Sequence, residues 1–236
     1  DQRRLPAGID DDLGSHRALM TGIGGAILGF LGLLLGFSLS MAISRWDDRR
    51  DIIVQEANAI GTLSLRAGLL EEPLRKQLRD SLITYSQARV ALGGSREQPD
   101  LLREARSQSE DLHVVIWSIV EQAKVPSTTN ATLASLINSA NEVIDLHELR
   151  LASLQNHLPS ALFYLLLTLA ALSVGFLAWG FGAVGHRGRT PIILLAILIG
   201  TMILLIMDVN RPQRGMIVVG VASLERAENS IPTPMP

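Results

Sequence analysis

Charged residues are missing from three stretches of the chain, and the pattern between those stretches is helical. Residues 18–43, 161–184 and 191–207 carry no Asp, Glu, Lys or Arg. A bilayer core takes about 20 apolar residues of helix. The first two runs can therefore cross with tilt, and the third is at the short end of the range. The first run is too long for the apolar core of a cleaved signal, and no small-residue cleavage site follows it. The short link at 185–190 makes the last two spans antiparallel neighbours. Pro159 lies just before the second run and Pro191 opens the third, where a missing N–H costs nothing.

Residues 44–160 are polar, with apolar positions recurring at helical spacing. Leu74, Leu78, Leu82, Tyr85 and Leu92 form one stripe. Leu101, Ala105, Leu112, Ile116, Ile119 and Ala123 form a second. Leu133, Leu136, Ala140, Val143, Ile144, Leu151, Leu154 and Leu158 form a third. Gly93, Gly94 and Pro99 separate the first two, and Pro126 to Asn130 separate the last two and supply caps. No segment alternates at period two over a strand's length. Between Ser44 and Leu70 there is no proline, and Trp46, Ile53, Ala57 and Ile60 continue an apolar edge. One helix should therefore run from about residue 18 to about 70. The last helix of the polar block is expected to run on into the second span in the same way.

The expected fold class is all-α: a polytopic helical membrane protein with a helical soluble domain. Its organisation reads as a tail at 1–17, spans at 18–43, 161–184 and 191–207, a soluble block at 44–160, and a closing motif with tail at 208–236. Residues 216–223 are apolar but too short to span, so they are an interfacial segment or a short packed piece. The arginines flanking the spans do not choose an orientation.

Composition narrows the chemistry. Among 236 residues, 21 Lys plus Arg face 23 Asp plus Glu, for a net charge of −2. That near-balance lacks the basic face a nucleic-acid binder needs, and 4% aromatics offers few stacking platforms. With no cysteine there is no disulfide, thiolate metal site or cysteine nucleophile. Nucleophile elbows, phosphate loops and His-Glu-x-x-His are absent. The spans hold no ionisable residue inside, unlike proton-coupled transporters. No enzyme activity, cofactor or metal is expected. Glu110 and His113 have the Glu-x-x-His spacing of helical di-metal sites, but no second copy accompanies them.

The sharpest feature is a row of small residues. Gly22, Gly25, Gly29, Gly32, Gly36, Ser40 and Ser44 recur every three or four positions, all on one face of the first span. In lipid, small residues let helix backbones approach closely. The row packs against the chain's own later spans, packs between subunits, or lines a narrow pore. Beyond the membrane the same face continues as Asp47, Asp51, Gln55, Asn58 and Thr62. In a parallel ring with this face inward, Asp47 and Asp51 would form carboxylate rings at the mouth and concentrate cations. Arg45, Arg49 and Arg50 lie on neighbouring faces and would attract anions instead, or pair with the aspartates on a solvated helix. A second feature is Asp208 at the edge of the hydrocarbon after the third span. A carboxylate there needs pairing or solvation, from Arg211 or from Arg45 and Arg49, unless Asp208 and Arg211 serve a pore mouth.

At these residues the chain resembles a bacterial bestrophin-like membrane protein family. The resemblance is carried by GLLLGFSLSMAISRWDDRR at 32–50, EANAIGT at 56–62 and LRAGLL at 65–70. MDVNRPQRG at 207–215 resembles the family's closing Asp-x-x-x-Pro-x-x-Gly signature. The likeness runs over about residues 14–224. Bestrophins are homopentameric, mainly anion-selective channels with a helical cytosolic region, so the resemblance implies a homo-oligomeric pore, pentameric by that likeness alone. Family members often begin with a further hydrophobic helix and an Arg-rich loop, of which Arg3 and Arg4 would be the remnant. The aromatic constriction of bestrophins has no clear counterpart, since Phe30 and Phe37 lie off the glycine face. The leading expectation is a homo-oligomeric ion channel in a bacterial inner membrane, lined by the first span. Its partners would be the lipid bilayer, other copies of the chain and inorganic ions, with no nucleic acid. The competing expectation is a non-conducting structural or accessory protein whose soluble helices dock a partner.

Overall fold

A helix continues as long as no residue breaks it, and the first one is long for that reason. In the computed structural model, α1 runs unbroken from Ala7–Ala67. It begins inside the stretch read as a tail. It ends as Gly68, Leu69 and Leu70 donate back to the carbonyls of Leu65, Arg66 and Ala67. After it come α2 (Leu74–Gly94), α3 (Pro99–Gln122), α4 (Asn130–Gln155), α5 (Ser160–Ala183), α6 (Arg189–Asn210) and α7 (Ala222–Ser230). The structure describes residues 7–94, 99–125, 128–183, 189–211, 217 and 219–232, and these contain no strand. Arg3, Arg4, His186, Arg187, Pro212, Arg214, Gly215 and the end of the chain from 233 lie outside the described residues.

The chain divides into two compact units. The first comprises residues 1–44 and 158–210 and holds the apolar helices. In α1, the edge that packs carries Gly24, Leu31, Leu35, Ser38 and Ala42, all buried. At Gly24 a β-carbon would come within 3.8 Å of Phe176 Cβ, so α1 and α5 approach closely there. α5 packs on α6. Asn210 at the end of α6 accepts from the backbone N–H of Leu158, just before α5, at 2.9 Å. That bond joins the end of one helix to the start of the other, as an antiparallel pair requires. Tyr164, Leu167, Trp179, Ile193, Leu194, Ile197 and Leu204 are exposed on α5 and α6. Apolar surface on that scale marks a membrane-facing protein, and three helical stretches are long and apolar enough to cross a bilayer.

The second unit comprises residues 45–157 and 211–236. Its core joins Ile53, Ile60 and Leu63 of α1, Leu78 and Leu82 of α2, Ile116 of α3, and Leu136 and Val143 of α4. Thr129 caps α4 by accepting from the N–H of Thr132 at 3.2 Å. The expectation that α4 runs on into the second span is corrected. It stops at Gln155, and residues 156–159 intervene before α5, because Pro159 has no N–H to continue the ladder. Of the apolar piece at 216–223, Val219 is buried in this core beside Leu224 and Ala227 of α7. Ile217, by contrast, is exposed. The amphipathic α7 escaped the sequence pattern because nine residues give too few periods to read.

Candidate functional site

Five glycines with nothing against them define the first site. Gly22, Gly25, Gly29, Gly32 and Gly36 are exposed, and a β-carbon at any of them would meet nothing within 4 Å. Ser40, Ser44, Asp47, Asp51, Gln55 and Asn58 continue the same exposed face, with Thr62 half-buried. Among the described residues, nothing from the chain's own later spans lies against the five glycines. The opposite edge of α1 is the one that packs. Phe30, Leu33, Phe37 and Ile43 stand exposed beside the row.

The three arginines beside this face are not equivalent. Arg45 Nη1 donates to Asn156 Oδ1 at 2.7 Å. Arg49 donates from Nε to the Ser153 carbonyl at 3.2 Å and from Nη2 to the Asn156 carbonyl at 2.7 Å. Those carbonyls close the C-terminal turn of α4, where a helix leaves acceptors unsatisfied and favours cations. Burial, with Arg45 close by, pulls the Arg49 pKa down. Arg50 is exposed, as is Asp48. At the end of α6, Asp208 is half-buried and Arg211 exposed.

A second constellation lies on the other side of α1, and sequence reasoning missed it. Glu56, Arg89 and His147 are fully buried and Arg150 is 3% exposed. Glu56 Oε1 accepts from Arg89 Nε, and its Oε2 accepts from Arg150 Nη1 at 2.8 Å. Tyr85 donates to the same Oε1 at 3.4 Å. Arg89 Nη1 donates to His147 Nδ1 at 2.8 Å. A guanidinium has no acceptor, so Nδ1 is bare and the proton sits on Nε2. His113 Nε2 lies 3.3 Å from the Tyr85 hydroxyl, and its ring meets His147 edge-on with centroids 4.6 Å apart. One carboxylate thus serves two guanidiniums in a region closed to water.

The electrostatics follow from that closure. Burial, reinforced by Arg89, pushes His147 down to about 3, so it is neutral at physiological pH. His113 is lowered for the same two reasons. Burial raises the Tyr85 phenol. It lowers Arg150, against the pull of Glu56. Glu110, read as half of a metal motif with His113, is instead bonded to Arg106 Nε at 2.7 Å. A signal for the cluster was present. Glu56 interrupts the apolar edge of Ile53, Ala57 and Ile60, and Arg89 interrupts the stripe between Tyr85 and Leu92. A charge inside an apolar stripe is rarely buried without a partner.

Comparison with known proteins assigns the fold a family. A family model, the bestrophin-like domain, matches residues 2–224. The chain belongs to the bestrophin-like family. Glu56 stands in the EANAIGT segment that carried the resemblance, where Ala57, Ala59 and Ile60 are buried as well. The crystal structure of a bacterial bestrophin homologue from Klebsiella pneumoniae matches this bestrophin-like chain with a TM-score of 0.71 and 16% identity, covering 91% of this chain and 85% of that one. A point variant of the Klebsiella pneumoniae homologue matches with a TM-score of 0.71 and 15% identity over the same shares. A structure described as a membrane protein variant matches with a TM-score of 0.72 and 14% identity, again over 91% and 85%. At such identities the likeness is one of fold. No curated relative matches by sequence.

Proposed function

We propose that this bestrophin-like chain is a subunit of a homo-oligomeric ion channel, multi-pass in a bacterial inner membrane. Its copies gather around the exposed face of α1. Gly22, Gly25, Gly29, Gly32 and Gly36 let the helices approach one another, Ser40 and Ser44 line the conduit, and Asp47 and Asp51 stand at its mouth. The observation that carries this reading is the unbroken exposed face from Gly22 to Asn58, small within the membrane and polar beyond it. A lipid-facing helix gains most from large apolar side chains, as α5 and α6 carry. Glycines and serines gain from close backbone approach, and carboxylates gain from water. Family membership supports a channel-type function, and a closed ring satisfies the same face on every copy.

The mouth favours cations in this reading. Arg45 and Arg49 are engaged at the end of α4, which leaves Asp47, Asp48 and Asp51 against Arg50 on the exposed side. Asp208, in the last turn of α6, and Arg211, just past its end, are further mouth positions in this reading. The test is purified full-length chain in liposomes under a salt gradient. The expected result is an oligomer by mass that passes ions, with a reversal potential showing preference for the cation. A monomeric species, or an oligomer that passes no ions, overturns the reading.

A further inference from the structure

Among the contacts that hold the proposed conduit helix in the soluble unit is one fully buried carboxylate, Glu56, and that choice is informative. In the soluble unit α1 could be held by apolar contacts alone: Ile53, Ala57, Ile60 and Leu63 already face the core. Apolar contacts tolerate small rotations of a helix, since one methyl group replaces another at little cost. A buried charge does not. Glu56 is fully buried, and its two oxygens take bonds from Arg89 on α2 and Arg150 on α4. Both guanidiniums are themselves buried. Arg89 is further held by His147 Nδ1 at 2.8 Å, and Arg150 Nη2 reaches the carbonyl of Arg89 at 3.4 Å. A shift of α1 by one residue turns each side chain by about 100°. Glu56 would leave both arginines, and two uncompensated charges would stay out of water. Glu56 meets both arginines at one rotation of α1 only.

That rotation also sets the exposed face. Asn58 lies two residues beyond Glu56, close to the opposite side of the helix, and Asp51 and Gln55 share its exposed face. We propose that Glu56 is a positioning residue of the conduit: clamped by Arg89 and Arg150, it fixes the rotation of α1 and so aims Asp51, Gln55 and Asn58. The proposal rests on the channel reading for its functional consequence, but not for its geometric one.

The experiment uses the full chain reconstituted in planar bilayers, read one channel at a time. Unitary conductance counts only channels that have folded, so a loss of stability does not move it. Glu56→Gln is expected to lower unitary conductance. Leu136→Ala, a buried core change on α4, is expected to lower thermal stability and leave conductance at the wild-type value. Arg150→Lys keeps the charge and loses the fork, and serves if Glu56→Gln fails to assemble; its conductance is expected between the two. Glu56→Gln or Arg150→Lys channels with wild-type conductance overturn the proposal. Geometry is read separately, and the natural absence of cysteine makes this clean. Single-cysteine chains carrying Ala57→Cys or Asn58→Cys are labelled with a membrane-impermeant maleimide. Ala57 is buried and Asn58 exposed, so only Asn58→Cys should label. Adding Arg150→Lys should raise labelling at Ala57→Cys. An unchanged pattern overturns the positioning claim even if the wild-type chain passes no current, in which case the channel reading alone would fall.

Discussion

The Arg49 guanidinium and the Asp51 carboxylate, two residues apart on α1, face opposite sides of the helix. Arg49 is 3% exposed and closes the last turn of α4 through the carbonyls of Ser153 and Asn156. Asp51 is exposed on the face that continues the glycine row. A stretch whose formal charges balance therefore presents an acidic side outward.

Selectivity should follow that side. Asp51→Arg is expected to move the reversal potential toward the anion in a salt gradient, and Asp47→Asn to move it less. Both effects should shrink as ionic strength rises, because the Debye length falls from about 10 Å at 0.1 M to about 3 Å at 1 M. Reversal potentials that do not respond to either substitution would place the conduit elsewhere.

The glycine row should matter to assembly and not to the fold of one copy. At Gly29 a new side chain meets nothing within its own chain, and leucine is a better helix former than glycine by roughly 0.8 kcal/mol. Gly29→Leu is thus expected to leave helicity and detergent thermal stability intact while the oligomer is lost by mass. Gly93→Ala is the contrast: its β-carbon would collide with Val221 Cγ1. It should lower thermal stability without acting on subunit contacts.

Removing the carboxylate of the buried cluster should be costly. Glu56→Gln leaves two buried guanidiniums without their counter-charge, a change worth about 3–5 kcal/mol in comparable buried pairs. Thermal unfolding should fall well below that of a surface change such as Glu110→Gln, whose pair with Arg106 is exposed. Exposed pairs of that kind are individually weak. Equal melting temperatures for the two variants would count against the cluster as a structural unit.

Acid should destabilise the soluble unit through His147. Its folded pKa is depressed to about 3 from the ordinary 6.5, so the unfolded chain binds the proton more readily. The stabilisation is complete above about pH 6.5 and is lost as pH falls toward 3. His113, lowered in the same direction, adds to the slope. Melting temperature is expected to fall across that window, and less steeply in His147→Gln. A slope unaltered by that substitution would assign the acid sensitivity to other groups.

Much of this architecture was legible residue by residue. Hydrophobic period and the absence of breakers are local properties, so the apolar spans, the helical soluble block and the continuity of α1 past the membrane could all be read from the chain. The small-residue row was legible for the same reason, since helical geometry alone puts its members on one face. Which side of α1 its own chain covers is another matter. It depends on contacts with segments far along the chain, such as Gly24 against Phe176, and no local pattern encodes that choice. The pairing of Glu56 with Arg150 across 94 positions belongs to the same class: a charge inside an apolar stripe announces a partner, and only folding names it. The sequence by itself determined where the chain is helical and where it is apolar, because those follow from each residue and its near neighbours. The tertiary structure decided which face stays open and which charges are hidden, because packing and desolvation are settled only when distant helices meet.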